Sequence, residues 1–296
     1  MAPSPSRPGN PPKSDLITRG VYKTNPLGTA TFVGLRALDI TLQHRLLLRG
    51  WGESLLSALH LASLPINAHP APEYLTSPAA ASRSLLLGDP ASLAWRDAPL
   101  SRVLVLGMLA GGAVKQAVWA TAVSREEMKP KAAVVVGVLE GVVNCVDSLM
   151  VLAAGTSGSL GWLGPRVGVP GWEGVSVPLA TVVGMGLWVV GMGVEVVAEG
   201  QRRGFKGKSG NKGRVCDEGL WSVARHPNYG GYTLWRAGVG MVAGGWLGGV
   251  VMGGLQGALF VWESVPELGG YMEKRYGEGW REYVRKVKWV LIPGVY

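Results

Sequence analysis

Charge, cysteine and histidine are all scarce in this chain of 296 residues. Charged residues make up 17% of it, against roughly 25% in soluble domains. The only two cysteines, Cys145 and Cys216, are too few for a disulfide scaffold or a cysteine-built metal site. The histidines are too scattered along the chain for the usual ligand spacings, so we expect no metal.

Apolar residues and glycine are abundant instead. Hydrophobic residues make up 47% of the chain and the mean hydropathy is +0.21, which excludes a chain that is disordered throughout. The 45 glycines follow no G-X-Y period, which excludes collagen. With a net charge of +9, these features indicate a membrane protein with a basic surface.

Several stretches are long enough to cross a bilayer, which takes about 20 mostly apolar residues in a helix. Four qualify, namely residues 103–123, 133–154, 176–198 and 237–262. Residues 27–48 are interrupted by charges, and residues 53–66 are short. The sequence therefore predicts an all-α, polytopic membrane helical bundle with about 5–7 transmembrane helices.

Composition divides the chain into three regions. Residues 1–25 lack the apolar core of a signal peptide and are rich in proline and basic residues, so we predict a disordered tail. Residues 26–99 hold one or two membrane segments and a proline-rich connection over 65–99. Residues 100–296 form the main membrane domain.

The loops predict an orientation. If the middle stretches each cross once, loops 124–132 and 199–235 share one side of the membrane. Both are rich in lysine and arginine, whereas loop 155–175 on the other side holds only Arg166. The positive-inside rule then places loop 199–235 in the cytosol.

Polar residues inside the spans form stripes, since spacings of three and four residues share one helix face. One stripe is Glu140, Asn144 and Asp147, and another is Arg36, Asp39 and Gln43. Such residues usually face a cavity or a partner. We favour a polar ligand cavity for the set, but internal ion pairs, for example Lys115 with Glu140 or Asp147, remain an alternative.

A basic segment precedes the densest polar motif. Residues 201–214 carry six basic side chains, no acidic ones and four glycines, which suits a phosphate-bearing ligand or the anionic leaflet of the membrane. The motif Arg225–Tyr229 reads Arg-His-Pro-Asn-Tyr, and Arg225 can fork two donors onto a phosphate. No folded basic face accompanies the segment, so we do not expect nucleic acid.

This motif resembles the C-terminal domain shared by steroid 5α-reductases, membrane sterol reductases and isoprenylcysteine carboxyl methyltransferases. Segments on both sides resemble its uncharacterised, reductase-like branch, namely Glu195–Gly213 upstream and Ser264–Pro266, Lys274–Gly277, Glu282–Tyr283 and Leu291–Pro293 downstream. The resemblance covers about residues 100–296 and is strongest over 195–296.

The resemblance implies an NADPH-dependent oxidoreductase of the endoplasmic reticulum that reduces a double bond in a lipid or sterol-like substrate. The cofactor-binding residues that it implies are Gln201, Lys206, Trp221, Arg225, His226, Asn228, Tyr229, Tyr283 and Lys286. The candidate catalytic residues are Glu140, Asp147 and Tyr232.

Position 232 departs from the reductase pattern, which has a glutamate where this chain has Tyr232. An aromatic residue is common there in the methyltransferase branch. An S-adenosylmethionine-dependent methyltransferase of a lipid or prenylated substrate therefore stays open, as does a non-catalytic relative. Against methyl transfer, the paired glutamates of that branch are reduced here to Glu267.

The stretch 237–262 separates two motifs that should act on one ligand, as the resemblance implies. A single crossing would place them on opposite sides of the membrane. Gly244-Gly245 and Gly248-Gly249 flank the midpoint of this stretch. We therefore predict a re-entrant helical hairpin, with one long tilted helix as the alternative.

Overall fold

The computed structural model describes residues 20, 22–63, 100–124, 126–153, 155–156, 165–168 and 176–296. The predicted proline-rich connection over 65–99 and most of the predicted tail lie outside these residues.

Eight α-helices carry the described part of the chain. They are α1 (Pro26–Leu48), α2 (Trp51–Ala58), α3 (Leu100–Val118), α4 (Pro130–Leu152), α5 (Leu179–Gly207), α6 (Pro227–Leu259), α7 (Val265–Tyr276) and α8 (Glu278–Lys286). Two π-helical turns, Trp119–Val123 and Phe260–Ser264, continue α3 and α6. Strands β1 (Arg166–Gly168) and β2 (Ser176–Pro178) form an antiparallel pair with Arg166 opposite Pro178.

Local signals explain where the long helices begin. Proline occupies the first turn of α1, α4 and α6, where its missing N–H costs nothing and its fixed φ suits the helix. The Asn25 side chain caps α1 by accepting a hydrogen bond from the Gly28 N–H at 3.1 Å.

Four described helical segments are long and apolar enough to cross a membrane, and they match the four predicted stretches. They are Leu100–Val123, Pro130–Leu152, Leu179–Gly207 and Pro227–Tyr276. These four are fewer than the predicted 5–7 transmembrane helices; α1 also has membrane length but carries charged residues, and the last segment folds into a hairpin. By contrast, α2 has 8 residues and rises only about 12 Å. The predicted all-α membrane bundle is confirmed.

The predicted hairpin is confirmed within α6. Gly244 and Gly245 leave the helical conformation, and Gly245 has φ 65° and ψ −157°, which only glycine adopts readily. The arms on either side pack antiparallel, because a Cβ built at Gly240 would lie 2.5 Å from the Gly248 carbonyl oxygen. Tyr229 and Phe260, at the open ends of the arms, stack at 4.4 Å between ring centroids.

Glycines also bring α5 against the first arm of the hairpin. A Cβ at Gly191 would lie 2.5 Å from the Gly231 carbonyl oxygen, and one at Gly238 would lie 2.5 Å from that of Gly184. Close backbone approach of this kind is how helices pack in a bilayer, where apolar side chains gain little from leaving lipid.

Helix α5 is longer than a membrane span requires. Its 29 residues rise about 43 Å, which exceeds a hydrocarbon core of about 30 Å. Residues 201–207, expected to be part of a mobile basic loop, are its last two turns. The end of α5 therefore presents charged side chains beside the start of α6.

Candidate functional site

The motif Arg225–Tyr229 and the C-terminal segment lie side by side, as the hairpin requires. The backbone N–H of Arg225 donates to the Trp289 carbonyl at 2.9 Å, and that of His226 donates to the Val290 carbonyl at 2.8 Å. The Tyr283 hydroxyl donates to the Trp221 carbonyl at 2.6 Å. These bonds fix the C-terminal segment against the motif.

A pocket opens where α5, the motif, α7, α8 and the end of α3 meet. Its cationic lining is Arg202, Arg203, Lys206, Arg225 and Arg275, and its acidic lining is Glu126 and Glu199. Aromatic rings form much of the remaining wall, including Trp119, Trp221, Tyr229, Tyr271, Tyr276, Trp280 and Tyr283. The pocket thus combines charges of both signs with ring faces on which a base can stack.

Most of the residues expected to bind a cofactor line this pocket, namely Lys206, Trp221, Arg225, His226, Asn228, Tyr229 and Tyr283. Two lie outside the lining. Gln201 accepts a hydrogen bond from the Leu220 N–H at 2.9 Å and thereby holds the turn Gly219–Ser222. The Lys286 ammonium is exposed and pairs with Asp217 at 3.2 Å.

Glu199 organises one wall of the pocket. Its carboxylate accepts hydrogen bonds from the Asn228 amide at 2.8 Å and from Arg202 at 2.7 Å. The Arg202 guanidinium lies 5.7 Å from the centroid of the Trp221 ring. With both oxygens engaged, Glu199 shapes the wall rather than offering a free acceptor.

Arg225 has donor capacity to spare. One terminal nitrogen donates to the Lys288 carbonyl at 3.4 Å, and its Nε is buried without a hydrogen-bond partner among the described residues. A buried donor without an acceptor is costly. An anionic ligand group in this pocket would satisfy it.

Burial acts on two groups of the lining that lie outside the membrane segments, the Tyr283 hydroxyl and the Cys216 thiol. Burial raises the pKa of Tyr283, and it also raises the pKa of the Cys216 thiol. Both groups therefore stay protonated at neutral pH, and Cys216 is not a reactive thiolate.

Some lining residues were not predicted. Glu126 comes from the connection between α3 and α4 and Trp119 from the end of α3, and neither carries a local sequence signal. Arg275 lies inside the segment Lys274–Gly277 that carries the resemblance, so its position could have been proposed from the sequence. Glu199 also lies inside a segment that carries the resemblance, the one beginning at Glu195, so its position could have been proposed in the same way.

The candidate catalytic residues lie in a buried network instead of the pocket lining. The Tyr232 hydroxyl donates to Glu140, and Glu140 forms an ion pair with Arg236. Arg236 also donates to the side-chain amide oxygen of Asn144 at 2.6 Å, and its Nη1 lies 3.6 Å from a carboxylate oxygen of Asp147. Arg236, the cation at the centre of this network, was not among the residues predicted from the sequence.

The two predicted polar stripes face each other across α1 and α4. Asp39 pairs with Arg36 at 3.0 Å and accepts hydrogen bonds at 2.7 Å from Gln43 and from Asn144. Lys115 pairs with Glu195 at 2.5 Å, so the suggested pairing with Glu140 or Asp147 was wrong. Internal pairing thus accounts for these polar residues.

Comparisons with known proteins give two likenesses. A family model described as proteins of unknown function (DUF1295) matches residues 170–287. The chain is also 29% identical over 273 residues to the probable O-methyltransferase ustE of Ustilaginoidea virens, which spans 90% of this chain and 86% of that protein.

The family match bears on the site. It contains α5, the motif and both arms of the hairpin, and hence the seven predicted cofactor residues that line the pocket. Glu140 and Asp147 lie outside it. The family match therefore covers the helices that build most of the pocket, whereas the likeness to the probable O-methyltransferase runs over nearly the whole chain.

Proposed function

We propose that the chain is an integral-membrane O-methyltransferase that binds S-adenosylmethionine in this pocket and methylates a membrane-dissolved lipid or prenylated substrate. The observation that carries the proposal is the pocket itself, where arginines, carboxylates and aromatic rings meet beside the motif. The likeness to a probable O-methyltransferase over nine-tenths of the chain supports the same class.

The lining fits the chemical groups of this cofactor. Arg225, with its unpartnered Nε, would bind the carboxylate, and the carboxylate of Glu126 would bind the ammonium. Among the rings of the lining, Trp119 and Trp280 would stack on the adenine. When bound, S-adenosylmethionine supplies an activated methyl group, because the sulfur that carries it is a sulfonium and departs readily as a thioether. The protein then has to orient the acceptor and exclude water.

Methyl transfer also suits the positions of the acidic groups better than reduction does. A reductase of this kind needs an acid or a tyrosine near the reacting double bond. Glu140 and Asp147 face the Arg236 guanidinium, and the Tyr232 hydroxyl is bonded to Glu140. In methyl transfer the S–CH3 bond breaks and the sulfonium would leave as a neutral thioether, which needs no such donor.

NADPH-dependent reduction is the second candidate, because the charge of the pocket favours it. Five cationic side chains and two carboxylates line the pocket, which leaves a surplus of positive charge for a polyanionic cofactor. In this case Lys206 and Arg225 would hold phosphates, and Asp147, Glu140 and Tyr232 remain candidate catalytic residues.

Cofactor binding tests the two candidates directly. Purified protein in detergent is titrated with S-adenosylmethionine and with NADPH, and we expect saturable binding of S-adenosylmethionine. Arg225→Ala should weaken this binding at least about tenfold, since it removes a charged partner of the ligand. Lys286→Ala, a basic residue outside the lining, is the control and should leave the affinity unchanged. Tighter binding of NADPH would contradict the proposal.

We also propose that the pocket faces the cytosol, in the endoplasmic reticulum membrane. Epitope tags inserted between Lys208 and Lys212, and after Tyr296, should both be accessible in cells whose plasma membrane alone is permeabilised. The bonds from Arg225 and His226 to the C-terminal segment require both tags to be on one side. Protection of both tags would reverse the orientation, and a split result would contradict the hairpin.

A further inference from the structure

Four aromatic rings form a column that leads from the pocket into the bundle. His226 and Tyr229, which line the pocket, stack at 5.5 Å with 17° between their planes. Tyr229 stacks on Phe260 at 4.4 Å and 5°, and Phe260 meets the edge of Tyr232 at 5.5 Å and 86°. Tyr229 and Tyr232 come from the first arm of the hairpin, His226 directly precedes that arm, and Phe260 follows the second arm.

The inner end of the column is fixed by polar bonds. The Tyr232 hydroxyl donates to Glu140 of α4 and accepts from Arg236 at 3.3 Å. Arg236 is 1% exposed and is itself held by Asn144. The ring of Tyr232 therefore has its hydroxyl end fixed to a different helix from its backbone.

We propose that Tyr232 is a positioning residue, whose bond to Glu140 sets the pose of Phe260 and through it of Tyr229 and His226 in the pocket wall. Offset and edge-to-face ring contacts have narrow preferred geometries, so a shift of one ring moves the next. The effect of Tyr232 on ligand affinity rests on the proposed cofactor site, whereas its effect on the ring positions does not depend on any ligand.

The same contact explains the residue at position 232. The reductase pattern has a glutamate there, and this chain has a tyrosine. In this chain Glu140 of α4 places a carboxylate beside position 232, and the Tyr232 hydroxyl donates to it. The substitution thus exchanges a carboxylate on α6 for a hydroxyl that ties α6 to α4.

Two substitutions interrupt the column at different points. Tyr232→Phe keeps the ring and removes the hydroxyl, and Phe260→Leu keeps the hydroxyl bond and removes the intermediate ring. We expect each to raise the dissociation constant of the cofactor that wild type binds by about two- to tenfold. Because both substitutions interrupt the same column of rings, the double variant should lose little more cofactor affinity than the weaker-binding single variant. Thr41→Val, which removes an exposed hydroxyl of α1, is the control and should leave the dissociation constant unchanged.

A second measurement needs no ligand. In protein labelled with ¹³C in the histidine rings, the His226 resonance is assigned by its loss in His226→Asn. Both Tyr232→Phe and Phe260→Leu should shift it, because ring stacking changes its local field, and leave the His44 resonance in place. An unshifted His226 resonance in both variants overturns the proposal.

The two measurements separate the possible failures. If wild type binds neither cofactor, the proposed function is wrong, and the resonance alone decides whether Tyr232 positions the rings. If wild type binds a cofactor and its affinity is the same in both variants, the positioning role is wrong and the proposed function stands. If Tyr232→Phe does not fold, Phe260→Leu carries the test.

Discussion

Replacing Arg236 with methionine should lower the free energy of unfolding by about 3–5 kcal/mol, because it leaves buried carboxylates without their cation. Arg236 is 1% exposed, pairs with Glu140 and lies 3.6 Å from Asp147, which is 0% exposed. Methionine fills much of the same volume but provides no donor. Thermal unfolding of detergent-solubilised protein measures the loss.

A double variant shows whether charge is the cause. In Arg236→Met with Glu140→Gln, only one of the two buried carboxylates is left without a cation, so the loss of unfolding free energy should be smaller than the sum of the two single losses. Arg281→Met is the matched control, because Arg281 also has two acidic partners, at 2.7 Å and 2.9 Å, but is exposed to solvent. It should leave the melting temperature unchanged. Equal melting temperatures for Arg236→Met and wild type would contradict the network.

The fold was largely predictable because length and apolarity decide which helices enter a bilayer. The hairpin followed from a different argument, that two motifs for one ligand need the same side of the membrane, and glycine pairs marked the turn. Gly244 and Gly245 are where the helix breaks. Residues 201–207 were predicted to belong to loop 199–235 because the apolar stretch ends at residue 198, but α5 continues through them. Glu199 and Arg202 bond one helical turn apart and help α5 continue.

The sites were predictable only in part. Periodicity shows which residues share a helix face, and it correctly grouped Glu140 with Asn144 and Asp147. It does not show which helix that face meets, so Lys115 was paired with the wrong carboxylate. Arg236 was missed because the sequence analysis treated 237–262 as the apolar stretch and Arg236 precedes it by one residue. Glu126 reaches the pocket only through the arrangement of α3 and α4, which local sequence does not encode.

A substitution that forces the two arms of the hairpin apart should destabilise the protein. A Cβ at Gly248 would overlap the Gly240 carbonyl oxygen, which belongs to the backbone of the other arm and cannot rotate away. Gly248→Ala should therefore cost about 2–3 kcal/mol of unfolding free energy, although alanine has the higher helix propensity. Thermal unfolding measures this loss. Forcing the arms apart should also separate Tyr229 from Phe260, so we expect the affinity for the proposed cofactor to fall as well.

Gly254→Ala is the matched control, because Gly254 lies in the same arm and a Cβ there would meet nothing within 4 Å. With no clash, only the backbone effect remains, and alanine should stabilise the helix by about 0.5–1 kcal/mol. The two variants thus have the same chemistry and opposite expected signs. If α6 were one continuous helix, residues 240 and 248 would lie about 12 Å apart along its axis. Gly248→Ala would then behave like Gly254→Ala, and that result would contradict the hairpin.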